Sequence, residues 1–176
     1  MKIYVARHGQ TQMNADNQVC GRTDIPLTQL GLQQAQLLAD NARGKDIDLI
    51  IVSPMIRARQ TAQAVADRYN LPVTVDERLI EQNFGIYEGV DRKDPRFLAG
   101  KRQLAARHPG GESMFQMAQR VYNLLDEVKE KYSDKNVLLV CHGGVCRIIR
   151  TYFEDLDTET FASYSPDNAS LVEYDA

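Results

Sequence analysis

Short apolar runs of strand length alternate with longer stretches whose apolar residues recur at helical spacing. No other feature of the sequence constrains the fold as much. Lys2–Arg7 (KIYVAR) reads as a strand. Thr28 is placed to cap a helix running to about Ala42, with Ala35, Leu38, Ala39 and Ala42 on one face and Gly44 as its stop. Asp48–Ser53 (DLIIVS) is a second strand. Ser53 then reads as a helix cap with Pro54 at the first helical position, where its missing N–H costs nothing. Ala58, Ala62, Val65, Ala66 and Tyr69 give that helix its core face. Pro72–Asp76 is a third strand. Residues 82–111 hold five glycines and two prolines and read as irregular. Glu112-Ser113 open a long helix with the stripe Met114, Met117, Ala118, Val121, Leu125 and Val128. Val137–Cys141 is a fourth strand, Gly144–Phe153 a helix and Ala169–Tyr174 a last strand. Strands that alternate with helices predict an α/β fold: three α/β/α layers around a mainly parallel sheet.

In such a sheet, ligands bind beyond the carboxyl ends of the strands. Two strand runs end there in unusual residues, Arg7-His8-Gly9 and His142-Gly143-Gly144. The chain has only 3 histidines, so two of them lie just past strands. The topology lets them meet in space. Arg57 falls on the first helical turn after the second strand, near the same edge, where helix N-termini add positive potential. Such a cluster repels itself unless it holds an anion. Phosphate fits, because an arginine fork matches its oxygens bidentately. A neutral imidazole in a phosphate site is a candidate nucleophile, and a carboxyl group suits protonation of the departing alkoxide. Glu81, in the loop after the third strand, is the candidate.

Composition bounds the alternatives. A net charge of −3 and a pI near 5.6 argue against broad nucleic-acid binding. No apolar run approaches membrane-spanning length, and the N-terminus lacks a secretory pattern. Three cysteines, Cys20, Cys141 and Cys146, form no disulfide framework, which points to a reducing cytoplasm. Cys141-His142 with Cys146 matches no usual zinc spacing, so no metal is expected. Residues 91–107 are distinctive: Arg92, Lys93, Arg96, Lys101, Arg102 and Arg107 face only two aspartates in an otherwise acidic chain. That run is either a solvated helix face or an anion-facing flap.

Six motifs in order resemble those of the histidine phosphatase superfamily, the phosphoglycerate-mutase-like proteins. They are R-H-G-Q-T-x-x-N at Arg7–Asn14, C-G-R-T-D-I-P-L-T at Cys20–Thr28, and S-P-M-I-R-A-R-Q-T-A at Ser53–Ala62. L-I-E-Q-N-F-G-I-Y-E-G at Leu79–Gly89, P-G-G-E-S at Pro109–Ser113 and C-H-G-G at Cys141–Gly144 follow. The resemblance spans nearly the whole chain and implies one phosphoglycerate-mutase-like domain over residues 1–176, with a short flap at about 86–111.

The resemblance also implies roles. His8 becomes phosphorylated; Arg7, Arg57 and His142 bind the phosphoryl group; Glu81 protonates the leaving group and then activates water. Asn14 is implied as a further phosphate ligand. Cys20, Gly21, Arg22 and Gly143 fall in the matched segments as substrate-binding candidates. No cofactor is implied. The expected activity is a metal-independent, histidine acid-type phosphatase acting on a small phosphorylated metabolite. The small size and the P-G-G-E-S segment resemble bacterial alpha-ribazole-phosphate or broad-specificity phosphatases. The alternatives are a cofactor-dependent phosphoglycerate mutase and a non-catalytic phosphate- or phosphoprotein-binding module. Neither nucleic acid nor membrane is an expected partner, and monomer and homodimer both stay open.

Overall fold

The computed structural model describes residues 1–176. Its elements are β1 (Lys2–Arg7), α1 (Gln12–Ala15), α2 (Gln29–Asn41), β2 (Leu49–Val52), α3 (Ile56–Tyr69) and β3 (Val73–Val75). They continue with α4 (Pro95–Lys101), α5 (Met114–Lys131), β4 (Val137–Cys141), α6 (Gly143–Phe153), α7 (Thr158–Ser163) and β5 (Leu171–Asp175). Five strands form one sheet in the order β3-β2-β4-β1-β5. The first four are parallel, and β5 pairs antiparallel with β1 at the edge.

Alternation along the strands divides the core in two. Ile3, Val5, Leu49, Ile51, Val137 and Leu139 point to one face, against Met117, Val121, Leu125 and Val128 of α5 and Val145 and Ile149 of α6. Tyr4, Ala6, Ile50, Val52, Leu138 and Val140 point to the other, against Leu38 and Ala39 of α2 and Ala58, Ala62 and Val65 of α3. Both faces of β4 are therefore covered, which is why its sequence is an unbroken apolar run. No helix is long and apolar enough to cross a membrane.

Helix starts follow the local signals where local chemistry decides. Thr28 caps α2 by accepting from the Gly31 amide, and Ser113 forms a reciprocal capping box with Gln116 on α5. Ser53 is a correction. It does not cap α3, which starts at Ile56; the Ile56 amide is capped from across the chain by Asp24 Oδ1 at 2.8 Å. Residues 82–111 are less irregular than their glycines suggest. Asp94 caps α4 with Pro95 in its first turn, and Gly85–Tyr87 forms a single 3₁₀ turn, as Glu77–Leu79 does just before the stretch. The final strand starts at Leu171, because Ala169 takes a left-handed conformation at φ 57°.

Candidate active site

Strand register assembles the site. β1 and β4 pair with Arg7 opposite Cys141, and the His8 amide continues the ladder to the Cys141 carbonyl at 3.0 Å. His8 and His142, each one residue past its strand, are thereby neighbours with ring centroids 5.1 Å apart. On the other side of β4, Val52 pairs with Val140, which puts Ser53 beside His142. Ser53 Oγ lies 2.7 Å from His142 Nε2, so its hydroxyl orients an imidazole and does not cap a helix.

Gly9 lets the chain leave β1 at close quarters with α2: a Cβ there would meet the Gly31 carbonyl oxygen at 2.4 Å. The segment before β5 clamps the same turn. Arg7 donates to the Pro166 carbonyl at 2.5 Å, and Asn168 Nδ2 donates to the His8 carbonyl at 2.9 Å. The His8 Nδ1 lies 2.6 Å from the Gly9 carbonyl. A carbonyl only accepts, so Nδ1 carries the proton and Nε2 keeps its lone pair. Burial first, then the charges of Arg57 and Arg7, holds His8 well below the ordinary imidazole value. Burial, Arg57 and His8 do the same to His142. Both rings are therefore neutral at physiological pH.

Arg57 is completely buried and is held from the Cys20–Thr23 loop, donating to the Thr23 carbonyl at 2.9 Å and the Gly21 carbonyl at 2.7 Å. Glu88 fixes that loop in turn by accepting from the Gly21 and Thr23 amides and the Thr23 hydroxyl. Glu81 sits at the start of α6, accepting from the Gly144 amide at 3.0 Å and its neighbour Gln82's amide at 2.8 Å. A side chain at position 144 would collide with it, since a Cβ would lie 2.5 Å from Glu81 Oε1. The Glu81 backbone is held by Arg22 Nε at 2.8 Å and by Arg120 at 3.4 Å, and Glu112 ties Arg120, Arg22 and the Asn83 amide together.

A cavity of about 160 Å³ opens above His8. Of the residues singled out by sequence, Arg7, His8, Asn14, Cys20, Glu81 and Gly143 line it. Arg57 and His142, fully buried beside His8, are not among the residues that line it. Gly21 and Arg22 are turned away: the Gly21 amide and carbonyl are spent on Glu88 and Arg57, and Arg22 reaches the Glu81 carbonyl and Glu112. Within the basic run, Arg92 and Lys101 line the cavity; the other four do not. Arg147, Phe84 and Phe97 complete much of the wall. The third histidine, His108, packs against Phe84, Tyr87 and Phe97 and fixes α4 over the opening. Sequence reasoning missed Ser53 in its orienting role, Glu88, Arg120 and Arg147. Asp94-Pro95 is a readable signal for α4; Ser53 and Glu88 lie within matched motifs, and nothing local marked Arg120 and Arg147.

Of the buried side-chain polar atoms, only Arg7 Nε, Arg57 Nε, His142 Nδ1 and Gln82 Oε1 lack a hydrogen-bond partner within the protein. Three of these four are nitrogens of the residues grouped around His8.

The family model described as the histidine phosphatase superfamily (branch 1) matches residues 3–176. The chain belongs to this superfamily. A curated relative, the "probable phosphoglycerate mutase GpmB" of Yersinia pestis (strain Pestoides F), is 37% identical over 150 residues, covering 81% of this chain and 70% of that one. Among solved structures, a mycobacterial glucosyl-3-phosphoglycerate phosphatase complexed with VO3 superposes with a TM-score of 0.86 at 30% identity, covering 98% of this chain and 91% of that one. The alpha-ribazole phosphatase from Shigella flexneri gives 0.85 at 28% identity, covering 99% and 90%. These neighbours place this member of the superfamily among enzymes that act on phosphate esters.

Proposed function

We propose that the chain is a metal-independent phosphomonoesterase that moves the phosphoryl group of a small phosphorylated metabolite through a phosphohistidine on His8. The observation that carries this reading is the set of unpaired nitrogens on Arg7, Arg57 and His142. Buried polar nitrogens without partners are rare and costly. All three residues surround His8, whose ring lies 5.1 Å from that of His142 and feels the charges of Arg57 and Arg7, and whose Nε2 lone pair is free. Phosphoryl oxygens are the acceptors that such donors would satisfy, most strongly as negative charge spreads over them in the transition state.

The steps follow from the residues. His8 Nε2 attacks phosphorus as the bond to the ester oxygen breaks. Arg7, Arg57, His142 and the Asn14 carboxamide hold the phosphoryl oxygens. The Ser53 hydroxyl donates to His142 Nε2, which leaves Nδ1–H for the phosphoryl group. Glu81 gives its proton to the departing alkoxide. Its carboxylate then takes a proton from water as that water attacks phosphorus and the P–N bond breaks. This step restores protonated Glu81 and neutral His8, and inorganic phosphate leaves.

The resemblance to a probable phosphoglycerate mutase supports a second reading, in which the phosphohistidine returns its group to another alcohol. Residues 86–111 would then act as a flap that excludes water, a demand their shortness meets poorly. Rapid mixing with p-nitrophenyl phosphate without metal tests the enzyme. A burst of p-nitrophenolate is expected, together with acid-labile, base-stable phosphate on the protein. Folded His8→Ala should give neither. A folded His8→Ala protein that turns over at a near-normal rate refutes the mechanism. Conversion of 3-phosphoglycerate that depends on added bisphosphoglycerate would establish the mutase instead.

A further inference from the structure

We propose that Asn168 is a positioning residue for phosphoryl transfer: it fixes the Asn14 carboxamide with the N–H donors turned toward the phosphoryl oxygens. The inference rests on the phosphohistidine reading, in which Asn14 is one of the groups around the transferred phosphoryl.

Asn168 comes from the far end of the chain. β5 pairs antiparallel with β1, Leu171 opposite Ala6, so the residues just before β5 lie beside those just after β1. Ala169 makes the turn in a left-handed conformation that is unfavourable for alanine, and its amide reaches the Arg7 and His8 carbonyls at 3.0 and 3.3 Å. Asn168 Nδ2 lies 2.9 Å from the His8 carbonyl and 3.4 Å from Asn14 Oδ1. Its two N–H bonds therefore bridge the turn that carries the nucleophile and the side chain on α1.

The direction of both carboxamides follows from their partners. The His8 carbonyl only accepts, so the Asn168 atom facing it is the nitrogen. The Thr11 amide only donates, so the Asn14 atom facing it at 3.1 Å is the oxygen. With Thr11 and Asn168 both donating to it, Asn14 Oδ1 has its two lone pairs filled. Asn14 Nδ2 makes no hydrogen bond within the protein, and the residue lines the cavity above His8. Turned over, the same carboxamide would set Nδ2 against two donors and aim its oxygen at the phosphoryl oxygens. A donor already fixed in place needs no reorganisation as negative charge develops there.

His8 has other supports. Its carbonyl keeps the Ala169 amide, and its ring is held by Nδ1 on the Gly9 carbonyl. Asn14 Oδ1 has only Thr11 besides Asn168. Loss of the Asn168 donor therefore falls on Asn14, which separates this role from general support of the loop.

The test is a double-mutant cycle. Phosphorylation of the enzyme by p-nitrophenyl phosphate is followed in single turnovers for wild type, Asn168→Ala, Asn168→Asp, Asn14→Ala and the two double variants. Aspartate keeps the shape of asparagine, but its carboxylate only accepts. Asn168→Ala should slow phosphorylation about tenfold, the scale of one hydrogen bond to a charged group, and Asn168→Asp at least as much. With Asn14→Ala already in place, either substitution at position 168 should cost less than about twofold, because the group that Asn168 orients is gone. Urea unfolding checks that each variant is folded under assay conditions. If Asn168→Asp does not fold, Asn168→Ala carries the cycle. If wild type forms no phosphohistidine, the phosphatase reading fails separately, and the same cycle is read from dissociation constants of inorganic phosphate by calorimetry. Wild-type values in both Asn168 variants, or losses of the same factor with and without Asn14→Ala, overturn the proposal.

Discussion

Two neutral imidazoles sealed among arginines make stability depend on pH in a way that can be worked out beforehand. His8 and His142 are 3% and 0% exposed, and burial with nearby guanidinium groups keeps both well below 6.5. In the unfolded chain each titrates near 6.5. Below that value the unfolded state takes up a proton at each ring that the folded state refuses. The unfolded state binds more protons, so stability falls as pH falls. Between about pH 7.5 and about pH 5.5 each ring costs about 1.4 kcal/mol, or about 3 kcal/mol for the pair. That window lies above the ordinary carboxylate range, so lowered groups such as Glu112 and Asp76 contribute only at more acid pH.

Urea unfolding at the two pH values, in buffers free of phosphate and sulfate, gives the measurement. A midpoint lower by roughly 1–3 M is expected at the acid end for ordinary urea slopes. His8→Asn should remove about half of the share due to this pair, whatever it does to absolute stability; His108, also lowered by burial, adds its own share in the same direction. Saturating phosphate should shrink it, because an anion among the donors favours charged imidazole. An equal midpoint at both pH values, or an unchanged pH effect in His8→Asn, would refute the assignment of neutral buried rings.

Three further outcomes are expected. Glu81→Gln should slow phosphorylation of the enzyme by alkyl phosphates far more than by p-nitrophenyl phosphate, with a loss of roughly 10²–10⁴-fold for the alkyl esters; equal losses in single-turnover measurements would remove Glu81 as the acid. Activity should survive EDTA and be inhibited by vanadate, since the cations grouped here are side chains; complete loss in EDTA, restored by a divalent ion, would contradict the mechanism. Ser53→Ala should lower kcat roughly 3–10-fold with little change in KM, the worth of one neutral hydrogen bond, and Ser53→Thr should recover part of it; wild-type kinetics in Ser53→Ala would dismiss its role in orienting His142.

The sequence alone determined what rests on local physics. Short apolar runs and helical patterning set the strands and most helices, because a strand covered on both faces is apolar throughout and an amphipathic helix has one side to bury. Thr28 and Ser113 marked helix starts through hydrogen bonds that close within three residues. The six motifs pointed to the superfamily and to His8, Arg57, Glu81 and His142. Tertiary structure decided everything that depends on where a polar side chain finds its partner. Ser53 looked like a cap until the register of β2 with β4 brought His142 to its hydroxyl. Gly21 and Arg22 lie in a family motif, yet their bonds support Arg57 and Glu81 from outside the cavity. The run at 91–107 carried its charge in plain view, but not its direction. α4 turns Lys101 inward while Asp94 and Glu159 hold Arg96 and Arg102 outward. Arg147 gave no signal, because a long side chain on a buried helix face takes its meaning from the loop it meets. Apolar burial is non-directional and leaves its mark in spacing. A charge is placed by partners that are distant in the chain, and only the folded molecule brings them together.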